Sequence, residues 1–453
     1  MLDDSHQRRQ FLMTPNIVQA PCPQKVMCFG VGAFTQGILK VLKESGATVS
    51  TYLTRDYGHY PPSLEGPCHS HREFPNPCQL LETNPVDVII PQSIDWAQKP
   101  WAKELIDKGH PIFCPTGLGL KLERDRDFAQ HVCRRFEIPF PVSHVARNRL
   151  EAEDLLRRDP RPYVIKNPLC SPNSPVHTIV CETVEDTRAW LDRIDYAEGV
   201  FLQEYCGRAE AGHIAVVSDG QIHSLVTNQE YKRAFDGDMG IVAGAPLGGI
   251  VQRDPEDQFG IAQELLTPLL PWFREVGFHG PVQVTAIRSE NRWKVLEYNV
   301  RIGVTSGPMI LKMLEEPVEM LCAVARNERL KLRFRREREF GCSITLAGYG
   351  YPYVQLQGPE LPIEVMGQPD CDIYFNEVEP DLHGNLRLTG HRIADVVALE
   401  STLEGAIQTC YRNISRLRCV GSYYRTDVGK SLWPPLPGRN SQTQIPSPQI
   451  KTP

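Results

Sequence analysis

The stretch WKVLEYNVRIG, residues 293–303, carries the most informative pattern in the chain. Alternate side chains of a β-strand share one face, so we expect Glu297, Asn299 and Arg301 to project together. Two oxygen ligands beside a cation suit Mg²⁺ that bridges nucleotide phosphates, and the arginine is suited to stabilising a transferring phosphoryl group. The same spacing is equally compatible with the exposed polar face of an edge strand.

The segment VQVTAIRS, residues 282–289, predicts a second strand joined to the first by a short polar turn. An antiparallel hairpin of this kind would bring Gln283 or Thr285 near Glu297. Gln283 is therefore a further candidate for the metal site.

Basic side chains occur at two more places where an anion could bind. Lys232 and Arg233 follow a predicted strand within residues 228–249, and basic groups beside a glycine-rich loop can hold phosphate or carboxylate oxygens. Taken alone, this segment is more typical of a solvated charged turn. Lys166 lies among the apolar residues of YVIKNP, where an unpaired lysine is costly to bury, so we expect an anion nearby.

A glycine-rich turn follows the first predicted strand. Gly30 and Gly32 lie between this strand and a helix, where backbone N–H groups can face a phosphate. The dinucleotide-binding pattern needs glycine at position 35, which is Thr35 here, so a nicotinamide-dependent dehydrogenase is a residual alternative. A tight turn without a ligand explains the pattern about as well.

Composition limits the class of protein. The chain has 453 residues, of which 41% are hydrophobic and 23% charged, and a formal net charge of −6. The mixture supports a buried core, and the mild acidity argues against a nucleic-acid partner, because phosphate contacts need clustered Lys and Arg. No apolar run reaches the ~20 residues of a membrane span, and the N-terminus lacks a signal-peptide core. We therefore expect a cytoplasmic protein without a membrane anchor, whose 14 cysteines, forming no CxxC pair, are free thiols.

The pattern of predicted elements changes along the chain and indicates several domains. Short apolar runs alternate with helical segments over residues 24–120, which is typical of a parallel sheet with crossover helices. Residues 121–333 contain many strands joined by polar turns and predict an antiparallel α+β region, with one long helix over FGIAQELLTPLLPWFREVG. Residues 334–433 predict a small α+β unit, and the polar ends, 1–23 and 434–453, are predicted to be disordered.

In this order, the patterns resemble the phosphoribosylamine–glycine ligase family, also called glycinamide ribonucleotide synthetases, of the ATP-grasp superfamily. The resemblance covers about residues 25–433 and rests on separate motifs: FCPTGLGLKLERDRDFAQ, QEYCGRAEAGHIAVVSDG, NQEYKRAFDGDMG, LEYNVRIG, GHRIADVVAL and GSYYRTDVG. It implies an ATP-grasp fold between an N-terminal parallel α/β domain and a small closing domain. It also implies ATP and Mg²⁺ (or Mn²⁺) as cofactors, and a reaction in which ATP phosphorylates a carboxylate and an amine attacks the acyl phosphate.

The resemblance implies a role for each matching residue. Glu297 and Asn299 would ligate the metal ion, with Gln283 beside them. The residues that would bind ATP are Arg126 and Lys166 at the phosphates, Glu204 and Tyr205 along the adenine, and Glu210 at the ribose. Lys232, Arg233 and Arg301 would hold phosphate or acyl-phosphate oxygens. The substrate segments would contribute Gly30, Gly32, Gln92, Ser93, Gly240 and Gly244.

The departures from the family pattern are concentrated in the substrate segments. An uncharged run, residues 33–36, replaces G-R-E-H after the first glycines, and PQSIDW replaces a G-P-E turn. IGVTSGP stands where the family has F-G-D-P-E-T-Q, and IVAGAPLG replaces P-N-T-G-G-M-G. Losing charged partners at a polar site usually destroys specificity for the original substrate. The phosphate loop, residues 167–178, carries prolines and lacks a second lysine, which could alter its closure.

These observations leave three interpretations. The first is an ATP-dependent carboxylate–amine ligase with a changed substrate pair, and the second is a genuine phosphoribosylamine–glycine ligase of purine biosynthesis. The third is a non-catalytic ATP-binding homologue, for which the altered loop and Arg126 in place of the usual lysine argue. We expect small-molecule carboxylate and amine partners, no nucleic acid, no membrane, and a monomer or homodimer.

Overall fold

The computed structural model describes residues 23–32, 34–170, 178–208, 210–289, 291–354 and 360–430. Nearly all of the two predicted tails and most of the altered phosphate loop lie outside the described residues.

The N-terminal part is a four-stranded parallel sheet with helices on both faces. Its elements are β1 (Lys25–Gly32), α1 (Gln36–Glu44), β2 (Thr48–Tyr57), α2 (Tyr60–Ser63), β3 (Cys68–Ser70), α3 (Pro77–Thr83), β4 (Val88–Pro91) and α4 (Ala102–Asp107). The strand order is β3-β2-β1-β4. Both faces of β1 are apolar because Val26 and Cys28 pack in one core while Met27 and Phe29 pack in another.

The middle part contains a small four-stranded antiparallel sheet and most strands of a larger, eight-stranded sheet. Its elements are α5 (Lys121–Arg124), α6 (Arg126–Arg135), β5 (Ser143–Ala146), α7 (Arg149–Arg158), β6 (Tyr163–Lys166), β7 (Ile179–Val180), α8 (Val184–Leu191), β8 (Val200–Glu204), β9 (Glu210–Ser218), β10 (Gln221–Glu230), β11 (Arg233–Phe235), β12 (Met239–Val242), β13 (Gly248–Arg253), α9 (Ile261–Leu265), α10 (Leu270–Glu275), β14 (Gly280–Ser289), β15 (Arg292–Asn299), α11 (Gly307–Met313) and α12 (Pro317–Ala325). Strands β5-β8-β6-β7 form the smaller sheet.

The C-terminal part completes the large sheet and adds a small one. Its elements are β16 (Phe340–Ala347), β17 (Leu361–Val365), β18 (Asp372–Phe375), β19 (Val378–Pro380), β20 (Leu386–Leu388), β21 (Arg392–Glu400), α13 (Leu403–Ile414) and β22 (Leu417–Cys419). The large sheet is antiparallel with the order β15-β14-β9-β10-β13-β16-β21-β18. It therefore continues across the boundary predicted near residue 333, and the domain limits stay a prediction.

One predicted element is wrong in detail. The run FGIAQELLTPLLPWFREVG, predicted to be a single helix, forms two short helices, α9 and α10, with a 3₁₀ turn over Thr267–Leu269 between them. Pro268 and Pro271 cannot donate the backbone hydrogen bonds that a continuous helix needs, so the helix breaks there.

The remaining architecture agrees with the sequence prediction of a parallel α/β domain, an antiparallel α+β middle and an α+β end. None of the helices in the described part of the chain combines the length and apolarity that crossing a lipid bilayer requires. Thirteen cysteines lie among the described residues, and all are free thiols.

Candidate active site

The strand pair β14–β15 brings the predicted metal ligands together. Thr285 lies directly opposite Glu297 and Gln283 lies opposite Asn299 in the register. Tyr298 and Val300 are buried on the opposite face, as alternation requires. A bulge at Leu296 interrupts the alternation, and its carbonyl turns toward the site, where it accepts a hydrogen bond from Gln203 Nε2 at 3.2 Å.

Two basic residues converge on Glu297 from different elements. Arg126 Nη1, at the start of α6, lies 3.3 Å from Oε2, and Lys232 Nζ lies 3.5 Å from Oε1. Burial alone would raise the pKa of Glu297, but the positive charges of Lys232, Lys166 and Arg126 together hold it well below its usual range. The carboxylate is therefore ionised at neutral pH, as a metal ligand must be.

Lys166 is buried, and the sequence led us to expect an anion near a buried lysine at this position. Its side chain is only 5% exposed, and Nζ donates to Gln203 Oε1 at 2.8 Å and to the Leu296 carbonyl at 3.4 Å. Both acceptors are neutral, and no described carboxylate forms an ion pair with it. Burial lowers the pKa of Lys166 to about 8, partly offset by Glu297. Glu297 acts on Lys166 without forming an ion pair, and an anionic phosphate would add a direct charge partner.

The donor set fits Mg²⁺ with ATP. Glu297, Asn299 and Gln283 offer hard oxygen atoms along one edge of the sheet, which is the chemistry that Mg²⁺ prefers. Buried oxygen atoms without a hydrogen-bond partner lie on the same face at Thr285 Oγ1 and Asn228 Oδ1. Gln283 is also hydrogen-bonded to Glu230, whose pKa is raised by burial and lowered in turn by Lys232.

Arg301, the cation predicted at the end of the strand, has a partner that the sequence did not reveal. Arg301 follows the end of β15, and its Nε lies 3.2 Å from Glu123 Oε1 on α5. The other oxygen of Glu123 accepts the Val300 N–H at 2.7 Å. Glu123 thus fixes the backbone and the guanidinium at the end of the metal strand. Its separation of 178 residues from Arg301 left no local spacing signal that could have identified it.

The predicted nucleotide hinge lies between the two antiparallel sheets. Glu204 ends β8, where its carboxylate accepts from Arg161 Nη1 at 2.8 Å and from the Val142 N–H at 3.2 Å. Tyr205 continues the hinge, with its N–H bound to the Pro162 carbonyl. Glu210 begins β9 and accepts a hydrogen bond from Lys232 Nζ at 2.6 Å. Because Lys232 also contacts Glu297, this bond connects the predicted ribose residue to the predicted metal ligand.

The predicted substrate residues of the first domain lie together at the ends of β1 and β4. Gln92 contacts the position that a side chain at Gly30 would occupy, and its amide nitrogen and oxygen are both buried without a hydrogen-bond partner. Gly32 has a φ of 98°, which favours glycine. Ser93 instead caps the following 3₁₀ turn, with its hydroxyl accepting from the Asp95 N–H at 3.2 Å.

The second predicted substrate segment is the hairpin β11–β12 and the loop after it. Arg233 Nη1 donates to the Gly240 carbonyl at 3.1 Å, and Arg233 Nη2 lies 3.5 Å from Glu182. Nothing lies within 4 Å of a side chain added at Gly244, so the loop is open there. Buried hydroxyls at Thr305 and Ser306 have no hydrogen-bond partner and were not predicted from the sequence.

Two family models match the parts of the chain that form this arrangement. The family model "Phosphoribosylglycinamide synthetase, ATP-grasp (A) domain" matches residues 124–306, and "Phosphoribosylglycinamide synthetase, C domain" matches residues 341–431. The chain belongs to the phosphoribosylglycinamide synthetase family. The two ranges cover more than half of the chain and include the predicted metal ligands Glu297, Asn299 and Gln283.

Relatives of this synthetase family agree over most of their length. A phosphoribosylamine–glycine ligase of Streptomyces coelicolor is 27% identical over 331 residues, covering 71% of this chain and 78% of the relative. One of Clostridium acetobutylicum is 27% identical over 345 residues, covering 72% and 80%.

Solved structures show the same fold. The crystal structure of phosphoribosylamine–glycine ligase from Thermotoga maritima has a TM-score of 0.71 at 21% identity and covers 89% of this chain and 99% of that one. Biotin carboxylase from Campylobacter jejuni has a TM-score of 0.64 at 12% identity, covering 88% and 92%. The predicted ATP-grasp fold, and the prediction of a ligase that uses ATP with Mg²⁺, are thereby confirmed at the level of the family.

Proposed function

We propose that this synthetase-family member is an ATP-dependent carboxylate–amine ligase that activates its carboxylate substrate as an acyl phosphate. The observation that carries the proposal is the convergence of Arg126, Lys166 and Lys232 around Glu297 beside Asn299. Such a cluster binds and neutralises phosphate charge rather than providing a nucleophile. The family assignment supports the same chemistry.

Each residue of the cluster has a proposed task. Glu297 and Asn299, with Gln283 beside them, would hold Mg²⁺, while Arg126 and Lys166 would hold the ATP phosphates. Bound MgATP supplies the phosphoryl group and a divalent charge that neutralises the phosphates. Glu204 and Tyr205 would lie along the adenine and Glu210 at the ribose. Lys232, Arg233 and Arg301 would hold phosphate or acyl-phosphate oxygens, with Glu123 fixing Arg301.

We further propose that the substrate pair differs from that of the relatives. Phe34 takes the place of a charged residue of the family in the first turn, and its ring lies 5.8 Å from the Arg392 guanidinium carbon. Gln92 fills the space over Gly30. An uncharged turn of this kind provides no cation for a phosphorylated amine. Gly30, Gly32, Gln92, Gly240 and Gly244 would still line the substrate region, and Ser93 would help to shape it.

A hydroxylamine trap tests the activity, because hydroxylamine takes the place of the natural amine. The carboxylate oxygen takes the γ-phosphoryl group of ATP and ADP leaves; hydroxylamine nitrogen then attacks the acyl carbon and phosphate leaves, giving a hydroxamate. We expect hydroxamate and ADP from at least one member of a panel of amino acids and organic acids. If the protein binds ATP tightly but releases no ADP with any acid of the panel, the non-catalytic alternative is favoured.

Glu297→Ala provides the decisive variant. We expect turnover to fall at least 1000-fold, because the metal ligand and the charge partner of three cations are lost together. Leu382→Ser, on an exposed turn far along the chain, serves as the control for expression and folding. Unchanged turnover in Glu297→Ala would contradict the assigned site.

A genuine phosphoribosylamine–glycine ligase is the second candidate, favoured by the names of the curated relatives. Complementation of a purine auxotroph that lacks this ligase tests it. Growth without purine would support this candidate over changed substrates, and failure of a well-expressed protein would count against it. In either case we propose small-molecule partners, a cytoplasmic location, and a monomer or homodimer.

A further inference from the structure

An exposed apolar patch lies on the hairpin that directly follows Lys232. Phe235 is 44% exposed, Met239 62%, Ile241 43% and Tyr353 52%. The rings of Phe235 and Tyr353 are stacked, with centroids 5.9 Å apart and an interplanar angle of 12°. Tyr353 Oη accepts the Ile241 N–H at 3.0 Å, and Met239 lies opposite Phe235 in the hairpin register. These four residues are termed the hairpin patch.

The polar groups around the hairpin patch are already satisfied within the protein. Asp236 accepts from the Thr426 N–H at 2.8 Å, and Asp238 lies 2.9 Å from Arg425. These bonds fix the hairpin turn to the closing part of the chain. What the hairpin leaves for a ligand is therefore apolar surface, and grouped apolar side chains at this exposure are typical of binding sites.

The hairpin patch adjoins Arg233 of the candidate active site. Arg233 Nη1 donates to the Gly240 carbonyl at 3.1 Å, between Met239 and Ile241, so its guanidinium lies beside the hairpin patch. Lys232, one residue earlier, lies 3.5 Å from Glu297. A ligand with its carboxylate at Arg233 has the apolar patch beside it.

We propose that the hairpin patch binds an apolar chain or ring of the carboxylate substrate, so that the protein selects apolar carboxylates over small polar ones such as glycine. This inference rests on the proposed ligase function. Charge complementarity supports it, since an anionic head meets Arg233 while the tail covers Phe235 and Tyr353. Ile241 of the patch also belongs to IVAGAPLG, the segment in which this chain departs from its family.

Binding of two matched acids tests the hairpin patch directly. Saturation-transfer NMR on the full chain with MgADP present compares 3-phenylpropionate with acetate. We expect 3-phenylpropionate to bind at least tenfold more tightly than acetate, and this preference to fall at least tenfold in Phe235→Ser and in Tyr353→Ser. Leu382→Ser, a matched loss of a fully exposed apolar side chain, should keep it. Equal binding of the two acids, or equal preference in all variants, would overturn the proposal.

Turnover separates a failure of this proposal from a failure of the proposed function. In the hydroxylamine trap we expect phenylalanine to exceed glycine in kcat/KM, with the ratio at least tenfold lower in Phe235→Ser. If glycine is preferred over phenylalanine, and the ratio of their kcat/KM values is the same in the wild type and in Phe235→Ser, the patch proposal is overturned. The proposed ligase activity would still stand. If 3-phenylpropionate binding depends on the hairpin patch but no acid gives a hydroxamate, the ligase proposal fails. The hairpin patch would then remain a binding site for apolar acids.

Sedimentation velocity supplies the remaining outcome. The hairpin patch as a substrate site predicts the same oligomeric state for the wild type and Phe235→Ser. A wild-type dimer that becomes a monomer in Phe235→Ser would show that the patch joins two copies, and would overturn the proposal.

Discussion

Lys166 is a buried ammonium held by the neutral oxygens of Gln203 and Leu296. Its pKa of about 8 lies below the ordinary value, so the unfolded chain binds more protons than the folded one above that pH. The contribution of Lys166 to ligand-free stability therefore rises with pH from about 8 to about 10.5, the unfolded value. Burial makes the charge of Lys166 costly in the empty site, Glu297 offsets part of that cost, and bound phosphate would offset more.

A proton-uptake experiment tests this interpretation of Lys166. Bound phosphate favours the ammonium form, so MgATP binding at pH 9 should take up close to one proton, and at pH 7 very little. Calorimetry in buffers of different ionisation enthalpy measures the uptake. Lys166→Arg keeps a permanent charge and should show none at either pH. Equal uptake by wild type and variant would assign the proton to another group.

At the scale of elements, strand β15, which carries the predicted metal ligands, is held at both ends by glutamates from helices. Glu123 on α5 accepts the Val300 N–H and contacts Arg301, at the site end. Glu264 on α9 accepts the Trp293 N–H at 3.1 Å, at the far end. The two contacts are alike in chemistry and differ in their distance from the proposed phosphoryl transfer.

Substitution of these two glutamates forms a matched pair. Glu123→Gln keeps an acceptor for the strand but removes the charge that fixes Arg301, so we expect kcat to fall about tenfold while the KM for ATP stays within about twofold. Glu264→Gln should leave kcat near the wild-type value. Equal effects of the two changes on kcat would show that Glu123 acts only on strand stability.

At the scale of the whole molecule, three parts of the chain meet near Gly37. A side chain at Gly37 of α1 would lie 2.7 Å from Pro308 Cγ, on α11, and 2.9 Å from Tyr374 Cδ2, on β18. The first domain, the ATP-grasp part and the closing part thus pack through a glycine. The Gln36 amide oxygen beside it accepts the Phe375 N–H at 2.7 Å and supports the same junction.

Overpacking this junction should destabilise the protein. Gly37→Ala should lower the free energy of unfolding by about 2 kcal/mol, since neither neighbour is the free end of a flexible side chain. Gly244→Ala, where an added methyl group meets no atom within 4 Å, is the control for stability. Thermal unfolding measures both. An unchanged midpoint in Gly37→Ala would show that the three parts move apart readily at this point.

The sequence alone predicted the order of most elements and the residues of the candidate site, whose roles stay predictions. Period-two alternation places Glu297 and Asn299 on one face, because both follow the bulge at Leu296 and the pairing is regular between them. The parallel first domain follows from its alternating strands and helices, and the separate motifs follow the order of the family. The broken helix at Pro268 and Pro271 was missed because its apolar period continued across both prolines.

Only the tertiary structure decided which charges meet. Arg126, Lys166 and Lys232 come from distant elements, and no local pattern connects them to Glu297. The pairing of Glu123 with Arg301 and the exposure of Phe235 also depend on long-range packing. Side-chain periodicity is a local property of the backbone, whereas electrostatic contacts and exposure depend on every element that packs nearby.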